Sequence, residues 1–589
     1  MAVYCDFSAT EFVNDVILME FGHDVETYTD VSGSYSGAGS YTVSLTYDYA
    51  SVSALSVLAQ NVLRCEQKLN ISCDDIKIWN SGTQYTWWED ASGAQMTSFP
   101  GADAADTGCF CGQNQNCDPS DGSVLCNCDR AYIGKEGGYI TDAAVLPISA
   151  LKMGGFTTSE ATASHSIGKL RCYDADTSTI PTSCLDANEN YGHTQTGYYL
   201  LDPDGSSGSM LPVKVYCDMD GVENAVMTVF EHDITEFTVV KITGSGNYGV
   251  DVNYNGLSLE QVASLMSGAV RCEQYISFSC YKGTRIRKSD RAWWSGRDGT
   301  KQTYWGGAEG NSDKCLCGVL DVCLASEGCN CDSQDTLNLL GDHGYLTDMS
   351  ALPVSQVRMA DTGGQKEATF SLGSLRCYHQ TAAVIWPSCY HVLTFDTTVD
   401  GDYLIDPDNP NNGLDPFRVT CDMDFNSTHA SQTFDHDAED RTQVTGFTTA
   451  GGYARDISYY ASWDQFAALF ALGNVQDCEQ YIEYDCNAAK LLDSDTSWWV
   501  SRTGTTMRHW GGAVDGDASC ACGLTGSCAG GGVCNCDQGA GSWDTDSGDL
   551  VDKTHLPVAQ LRIGSDSGEV YYTLGKLVCY IAAGKYLQH

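Results

Sequence analysis

Positive charge is scarce in this sequence of 589 residues. Lys and Arg number 32 against 77 Asp and Glu, which gives a formal net charge of −45. Proteins bind nucleic acids and anionic membranes through clustered Lys and Arg, so the shortage argues against both as partners. The acidic excess favours solubility, divalent cations or basic partners, and it carries no information about the fold.

Long apolar stretches are also missing. No run of about 18 apolar residues occurs, so the sequence predicts no insertion into a membrane. Residues 1–20 have neither the basic start nor the continuous apolar segment of a signal peptide. Cysteine is abundant instead, with 29 residues, which is typical of disulfide-bonded proteins of an oxidising compartment. We therefore expect an extracellular, secreted protein whose chain is a mature form or a fragment.

The same long unit occurs three times along the chain. The tripeptide Cys-Glu-Gln begins at 65, 272 and 478, at offsets of 207 and 206 residues. Each copy then has a further cysteine, a Trp pair, a Cys-x-Cys-Gly and a Cys-Asn-Cys-Asp in the same order. A period of this length predicts tandem globular domains, each with its own core. We expect copy one at 1–176, copy two at 177–381 and copy three at 382–589.

The cysteine count is odd because the first copy has one fewer than the others. Copies two and three contain ten cysteines each, and copy one contains nine. Copy one starts only at Val-Tyr-Cys-Asp, residues 3–6, late in the opening segment that the other copies have in full. We expect the partner of Cys5 to lie upstream, so that the chain begins within a module.

Each copy is predicted to be α+β, rich in strands and loops, with few helices. Residues 258–270 have apolar residues at helical spacing, and Ser258 and Gln261 fit a capping box. Residues 462–465 open the matching helix in copy three. Short runs that favour strands lie around the helix, and 61 glycines predict many turns. The strand predictions are 42–45, 211–216 and 354–359.

Two stretches resemble a known family. The run G-Y-Y-L-L-D-P-D-G…P-V-K-V-Y-C-D-M, within 197–219, resembles the start of fibrinogen C-terminal-like domains. The run W-W-S-G-R…Y-W-G-G…C-L-C-G…C-N-C-D…G-S-L-R-C-Y, within 293–378, is similar to the fibrinogen-like region of contactin-associated, neurexin-like cell-surface proteins. The resemblance covers copies two and three, and copy one without its start. It implies three tandem, disulfide-rich fibrinogen-like domains, whereas family members carry one such region among other domains and a membrane span.

The resemblance also implies two disulfides, which join Cys184 to Cys217 and Cys389 to Cys421. The other cysteines of each copy allow many pairings that spacing does not distinguish. Their short spacings also suit zinc, but the oxidising context favours disulfides. The sequons at Asn70 and Asn426 predict N-glycosylation.

Calcium is the one cofactor that the sequence suggests, and none is required. The acidic pairs Asp202/Asp204 and Asp218/Asp220 could supply oxygen ligands. The same residue types are also typical of turns, where the carboxylate accepts backbone N–H groups. Some fibrinogen-like domains bind calcium through a later acidic loop, which has no match here.

A His-Asp pair occupies an equivalent position in each copy, at 23–24, 232–233 and 436–437. Such a pair occurs in hydrolase triads, but no nucleophile stands at a matching position, and the sequence has no G-x-S-x-G or H-E-x-x-H motif. A structural hydrogen bond at a strand end explains the pair better. We therefore predict that the protein is not an enzyme.

Four aromatic residues of copy two, Trp293, Trp294, Tyr304 and Trp305, form a candidate ligand surface. Trp305 follows Trp294 by eleven residues, and the same spacing recurs in copy three. In copy one, Phe99 stands at the position of Trp305, while the polar residues between these anchors differ among copies. A core accepts Phe for Trp at modest cost, so the pattern favours a buried loop over a ligand site.

The sequence therefore predicts a secreted, non-enzymatic structural or adhesion protein of tandem fibrinogen-like modules. We expect it to assemble into oligomers, a matrix or a filament, through self-association or with other extracellular proteins. The alternative is calcium-dependent, lectin-like glycan recognition, since several fibrinogen-like relatives bind glycans with calcium. A third reading is a carrier of an apolar ligand or pigment in aromatic clefts between modules.

Overall fold

A computed structural model describes most of the chain. The described residues are 12–14, 16–100, 102, 107–113, 117, 123–129, 134–234, 238–240, 247–281, 285–286, 291–310, 312–324, 328–333, 339–360, 367–381, 384–408, 413–426, 429–514, 516–539, 541–564 and 568–582. Cys5, and with it the expectation about its partner, lies outside them.

Strands and loops make up most of the described residues, and the helices are few and short. In copy one the helices are Val52–Ala59 and Phe110–Gln113, and the strands are Ile17–Phe21, Thr29–Ser32, Tyr41–Ser44, Arg64–Asp74, Trp79–Asn80, Thr83–Gln84, Trp87–Glu89, Gly134–Ile140, Ala150–Met153 and Thr162–Asp174. In copy two the helices are Cys184–Glu189, Leu259–Met266 and Leu316–Val319, and the strands are Gly197–Leu201, Val213–Val222, Ala225–Phe230, Thr238–Val240, Asn247–Asp251, Arg271–Tyr281, Ala292–Ser295, Lys301–Gln302, Leu339–Leu346, Gln356–Ala360, Glu367–Leu372 and Leu375–Gln380.

Copy three repeats this order of elements. Its helices are Cys389–Phe395, Trp463–Ala471 and Ala521–Thr525, and its strands are Gly401–Ile405, Phe417–Asn426, His429–Phe434, Thr442–Val444, Tyr453–Asp456, Val475–Asn487, Trp498–Ser501, Thr506–Met507, Trp543–Leu550, Val558–Ile563 and Glu569–Ala582. The prediction of a strand-rich, disulfide-rich chain with few helices is confirmed.

Each of copies two and three has one large and one small antiparallel sheet. In copy two the large sheet centres on Arg271–Tyr281, the strand that carries Cys-Glu-Gln, and the small sheet centres on Gln356–Ala360. Copy three has a seven-stranded and a four-stranded sheet in the corresponding order. In copy one the matching strands form a five-stranded and a three-stranded sheet, together with a separate two-stranded sheet.

The amphipathic helix of copy two begins as its sequence predicts. Ser258 Oγ accepts the N–H of Gln261 at 3.1 Å, and Gln261 Oε1 accepts the N–H of Ser258 at 2.9 Å, which completes the capping box. The helix ends at Met266, four residues earlier than predicted, because Gly268 takes a positive φ of 81° and turns the chain toward the next strand. The helix of copy three has the same capping box.

The disulfides follow one pattern in all three copies. The first joins two cysteines that lie opposite each other on neighbouring strands of the large sheet. The shared pairs are Cys65–Cys172, Cys272–Cys377 and Cys478–Cys579; Cys73–Cys128, Cys280–Cys331 and Cys486–Cys536; Cys109–Cys126, Cys315–Cys329 and Cys520–Cys534; and Cys111–Cys117, Cys317–Cys323 and Cys522–Cys528. Copies two and three add Cys184–Cys217 and Cys389–Cys421. Their sulfurs are therefore not free thiolates for zinc.

Candidate functional site at the contacts between copies

The four aromatic residues of copy two lie in the core rather than on a surface. Trp293 is 6% exposed and Trp294, Tyr304 and Trp305 are at most 1% exposed. The indole N–H of Trp294 donates to the carbonyl of Tyr304 at 2.8 Å, and the two rings meet edge to face at 5.2 Å. Trp88 and Trp499 make the same kind of indole contact with Ser98 and His509. This contact explains the fixed spacing of the aromatic residues.

The His-Asp pairs hold loops together and do not form dyads. In copy two, His232 Nε2 lies 2.8 Å from the carbonyl of Gly373, and its Nδ1 accepts the N–H of Ile234 at 3.0 Å. The Asp233 carboxylate accepts the N–H of Asn253 at 3.1 Å. Burial lowers the pKa of His232. His23 and His436 have the same two types of contact.

The glutamine of Cys-Glu-Gln is the centre of a buried hydrogen-bond network that the sequence did not reveal. Gln274 accepts the N–H of Val354 at 3.1 Å and donates to the carbonyl of Gly373 at 3.1 Å and to the hydroxyl of Tyr254 at 2.9 Å. Gln67 and Gln480 repeat these contacts. The recurrence of the tripeptide is therefore structural, since its contacts join segments about 80–100 residues apart.

The acidic residues considered for calcium make turn contacts. Asp204 Oδ2 accepts the N–H groups of Ser209 and Met210, at 2.6 and 3.0 Å. Asp218 Oδ1 accepts the N–H of Gly221 at 2.8 Å, and Asp220 accepts the hydroxyl of Thr196. Asp202 is buried, and burial with the neighbouring Asp204 raises its pKa. Among the described residues, none of these four belongs to a group of three potential metal ligands.

The two sequons differ in position. Asn70 lies inside the strand Arg64–Asp74, half-buried, with its amide nitrogen 3.4 Å from Ser166 Oγ. Asn426 is the last residue of the strand Phe417–Asn426, and its side chain lies outside the described part of the chain.

Successive copies are joined by a contact that occurs twice. Asn14 donates its side-chain amide to the carbonyl of Leu200 at 3.0 Å and accepts the Leu200 N–H at 3.1 Å. Asn224 makes the same pair of bonds with Leu404, at 2.9 and 2.8 Å. Each asparagine is buried, so a copy holds the first hairpin of the next copy as a strand partner would.

A buried arginine adds to each contact. Arg64 lies beside Glu66 and donates to the carbonyl of Gly256 in copy two at 2.7 Å. Arg271 pairs with Glu273 at 3.0 Å and donates to the carbonyl of Tyr460 in copy three at 2.6 Å. Because each arginine is charge-paired within its own copy, its remaining donors can satisfy carbonyl groups of the next copy.

Two carboxyl groups meet at each contact. Asn330 of copy two donates to Asp456 Oδ2 of copy three at 3.0 Å, and oxygens of Asp342 and Asp456 lie within 4.8 Å of each other. Burial, with the neighbouring Asp456, raises the pKa of Asp342 to about 8, and burial raises that of Asp456 to about 6. Between copies one and two, Asn127, Glu136 and Asp251 occupy the corresponding positions, and burial raises the pKa of both acids.

The third copy differs from the others at two positions, one of which is that of the arginine at each contact. In the large sheets, Arg64 and Arg271 lie opposite a tyrosine of the last strand. Asp477 lies opposite the corresponding Tyr580, so it stands at the position of these arginines. Asp549 stands where the others have Tyr139 and Tyr345. Both aspartates are exposed. The residue before each Cys-Glu-Gln tripeptide therefore indicates, in the sequence, which copies present an arginine at the contact with a following copy.

These features define a class: a strand-rich, disulfide-rich chain of three similar copies packed in series, of an extracellular type. No helix in the described part of the chain is long and apolar enough to cross a bilayer.

Three relatives share sequence with part of the chain. Contactin-associated protein 1 of Rattus norvegicus and of Mus musculus is 37% identical over 191 residues, and that of Homo sapiens is 36% identical over the same length. The match covers 31% of this chain and 13% of each relative. It supports a relationship to neurexin-like, contactin-associated proteins. No family model matches the chain. A structure of infectious bursal disease virus Gx strain aligns over 62% of this chain and 75% of its own, at 12% identity and a TM-score of 0.12, too low to bear on the fold.

Proposed function

We propose that this chain is a secreted, non-enzymatic adhesion protein of three fibrinogen-like modules that form one stiff stack. The observation that supports the proposal most directly is the repeated contact between copies, in which buried Asn, Arg and carboxyl groups recur at both boundaries. Two similar boundaries fix three modules in a constant relative orientation. Such an arrangement suits a protein that holds a partner at a set distance.

The partner is an extracellular protein. The relatives are named for an association with contactin, and this chain matches 13% of their length, so a cell-surface protein of that kind is the first partner to test. The acidic surface, with 77 Asp and Glu in the chain, favours a partner with a basic face.

Self-association into oligomers, a matrix or a filament is part of the same proposal. Asp477 and Asp549 replace Arg and Tyr on the outer face of copy three, so assembly there needs a surface other than the contact between copies. The native mass of the purified protein, measured by light scattering under non-reducing conditions, tests this part.

Beads coated with the whole chain provide the test of adhesion. We expect them to bind cells that display contactin-type proteins and to lose this binding after trypsin treatment of the cells. Beads coated with the reduced and alkylated chain are the control. Equal binding to trypsin-treated cells would contradict a protein partner, and binding to a glycan array that EGTA abolishes would favour the calcium-dependent lectin instead.

A further inference from the structure

A cleft lies at each boundary between copies, and the two clefts differ in size. The cleft between copies one and two has a volume of about 430 Å³, and the one between copies two and three has about 200 Å³. Pockets that hold small molecules have volumes of roughly 300–1,000 Å³. Only the first of these two clefts falls in that range.

Two substitutions account for the difference. Tyr460 and Trp463 line the second cleft, and Gly256 and Leu259 occupy their positions at the first. The equivalence is fixed by the capping serines, Ser258 and Ser462, which lie two residues after Gly256 and Tyr460 and immediately before Leu259 and Trp463. Smaller side chains at corresponding positions therefore leave space in the first cleft that aromatic rings fill in the second.

The first cleft combines an apolar wall with an excess of carboxyl groups. The apolar residues come from both copies and include Trp88, Phe99, Phe110, Val250 and Leu259. The charged residues that line it are Lys135, Glu136, Asp142, Asp233 and Asp251. One lysine thus faces four acids among the described lining residues, and this lysine lies 4.0 Å from Asp233.

Beside the cleft, protein groups satisfy buried polar atoms only in part. Glu136 accepts the N–H of Cys128 at 3.2 Å and lies within 4.8 Å of Asp251. Asn127, which lies behind the lining residue Asp251 and does not itself line the cleft, is 5% exposed and donates to Asp251 Oδ2 at 3.0 Å, while its own Oδ1 has no hydrogen-bond partner among the described residues. A buried acceptor of this kind, beside two acids, favours a donor with positive charge.

We propose that the cleft between copies one and two binds a small organic cation that carries a flat apolar group. The ammonium group lies against Glu136 and Asp251, and the flat group packs against Trp88 and Phe99. This site is independent of adhesion, because the cleft lies between copies and needs no second protein.

Three probes of one shape and different charge test the proposal: tryptamine, 3-methylindole and indole-3-acetate. Equilibrium dialysis with the whole chain should show that tryptamine binds at least about tenfold more tightly than either of the others. Glu136→Gln keeps an acceptor for Cys128 and removes the charge, so it should reduce the preference for tryptamine. Equal binding of the three probes, or no binding of tryptamine at about 10 mM, would overturn the proposal.

A comparison of the two clefts provides a variant that fills the first cleft and a matched control at the second. Leu259→Trp introduces an aromatic ring of the second cleft into the first and should weaken tryptamine binding at least about tenfold. Trp463→Leu makes the reverse change at the second cleft and should leave the affinity of the first unchanged. Thermal unfolding of each variant checks the fold. If tryptamine binding survives Leu259→Trp in a folded chain, or is lost in Trp463→Leu, the site is not this cleft.

Discussion

Asn224 of copy two and Leu404 of copy three are joined by two hydrogen bonds, one in each direction, across the boundary between their copies. The asparagine takes the place that a neighbouring strand would have. An asparagine makes the same pair of hydrogen bonds at the other boundary, so both boundaries are built in the same way.

Asn224→Ala should loosen the boundary between copies two and three. The change leaves the N–H and carbonyl groups of Leu404 without their partner in a buried position, at a cost of about 1–3 kcal/mol. The free energy of unfolding in urea measures this loss, and limited proteolysis should show faster cleavage near the boundary. Asn80→Ala, at an exposed hairpin, is the control and should change neither. A variant as stable as the wild type would show that the two bonds add nothing to the boundary.

The contribution of the buried carboxyl groups of Asp342 and Asp456 to stability should fall as the pH rises from about 4 to 8. The ordinary Asp pKa is 3.8, and the folded chain raises it to about 6 for Asp456 and about 8 for Asp342. The folded state therefore holds protons that the unfolded state releases, and the stability this provides is lost as the pH rises through the folded-state values. Asp456→Asn should reduce the dependence of the unfolding free energy on pH below about pH 6, as measured by urea unfolding at each pH.

That prediction is tested by the slope of the unfolding free energy against pH and not by its absolute value. The amide at position 456 also changes stability by an amount that does not depend on pH. Asp30→Asn changes an exposed carboxylate and serves as the control. A profile of Asp456→Asn that runs parallel to the wild type would show that this carboxyl does not titrate with folding.

Two tryptophans of the core should differ in their response to Phe. Trp294→Phe leaves the buried carbonyl of Tyr304 without its donor, which costs about 1–3 kcal/mol in addition to lost packing. The indole N–H of Trp305 has no partner among the described residues, and copy one already has Phe99 at that position. Trp305→Phe should therefore cost less. Urea unfolding of both variants compares them, and equal losses would contradict the argument.

The long-range disulfides should contribute more than the short ones. Cys272–Cys377 closes a loop of 105 residues, and Cys317–Cys323 closes one of 6. In the chain-entropy model, a closed loop of about 100 residues contributes about 4.7 kcal/mol, and the contribution decreases with the logarithm of loop length. Replacing the first pair by serine should lower the unfolding free energy more than replacing the second. The opposite order would show that local strain outweighs chain entropy here.

The sequence predicted the strand-rich, disulfide-rich class and the helix start at Ser258, because these depend on composition and on neighbouring residues. It also favoured a buried position for Trp294 and Trp305, since the comparison of copies separates constant anchors from variable ones. The contacts of Arg64 with Gly256 and of Gln274 with Gly373 could not be predicted. They join residues 192 and 99 positions apart, and no local pattern specifies such a pairing.

The exchange of Arg for Asp477 and of Tyr for Asp549 makes the copies unequal in what can follow them. If a duplicate of copy two were inserted after copy two, Arg271 of the original would donate to carbonyl groups of the duplicate, as it now does to a carbonyl of copy three. The same duplicate placed after copy three would meet carboxylates facing carbonyl oxygens, which repel each other. The order of the copies is therefore part of the information in the sequence: they share one architecture and yet cannot be exchanged.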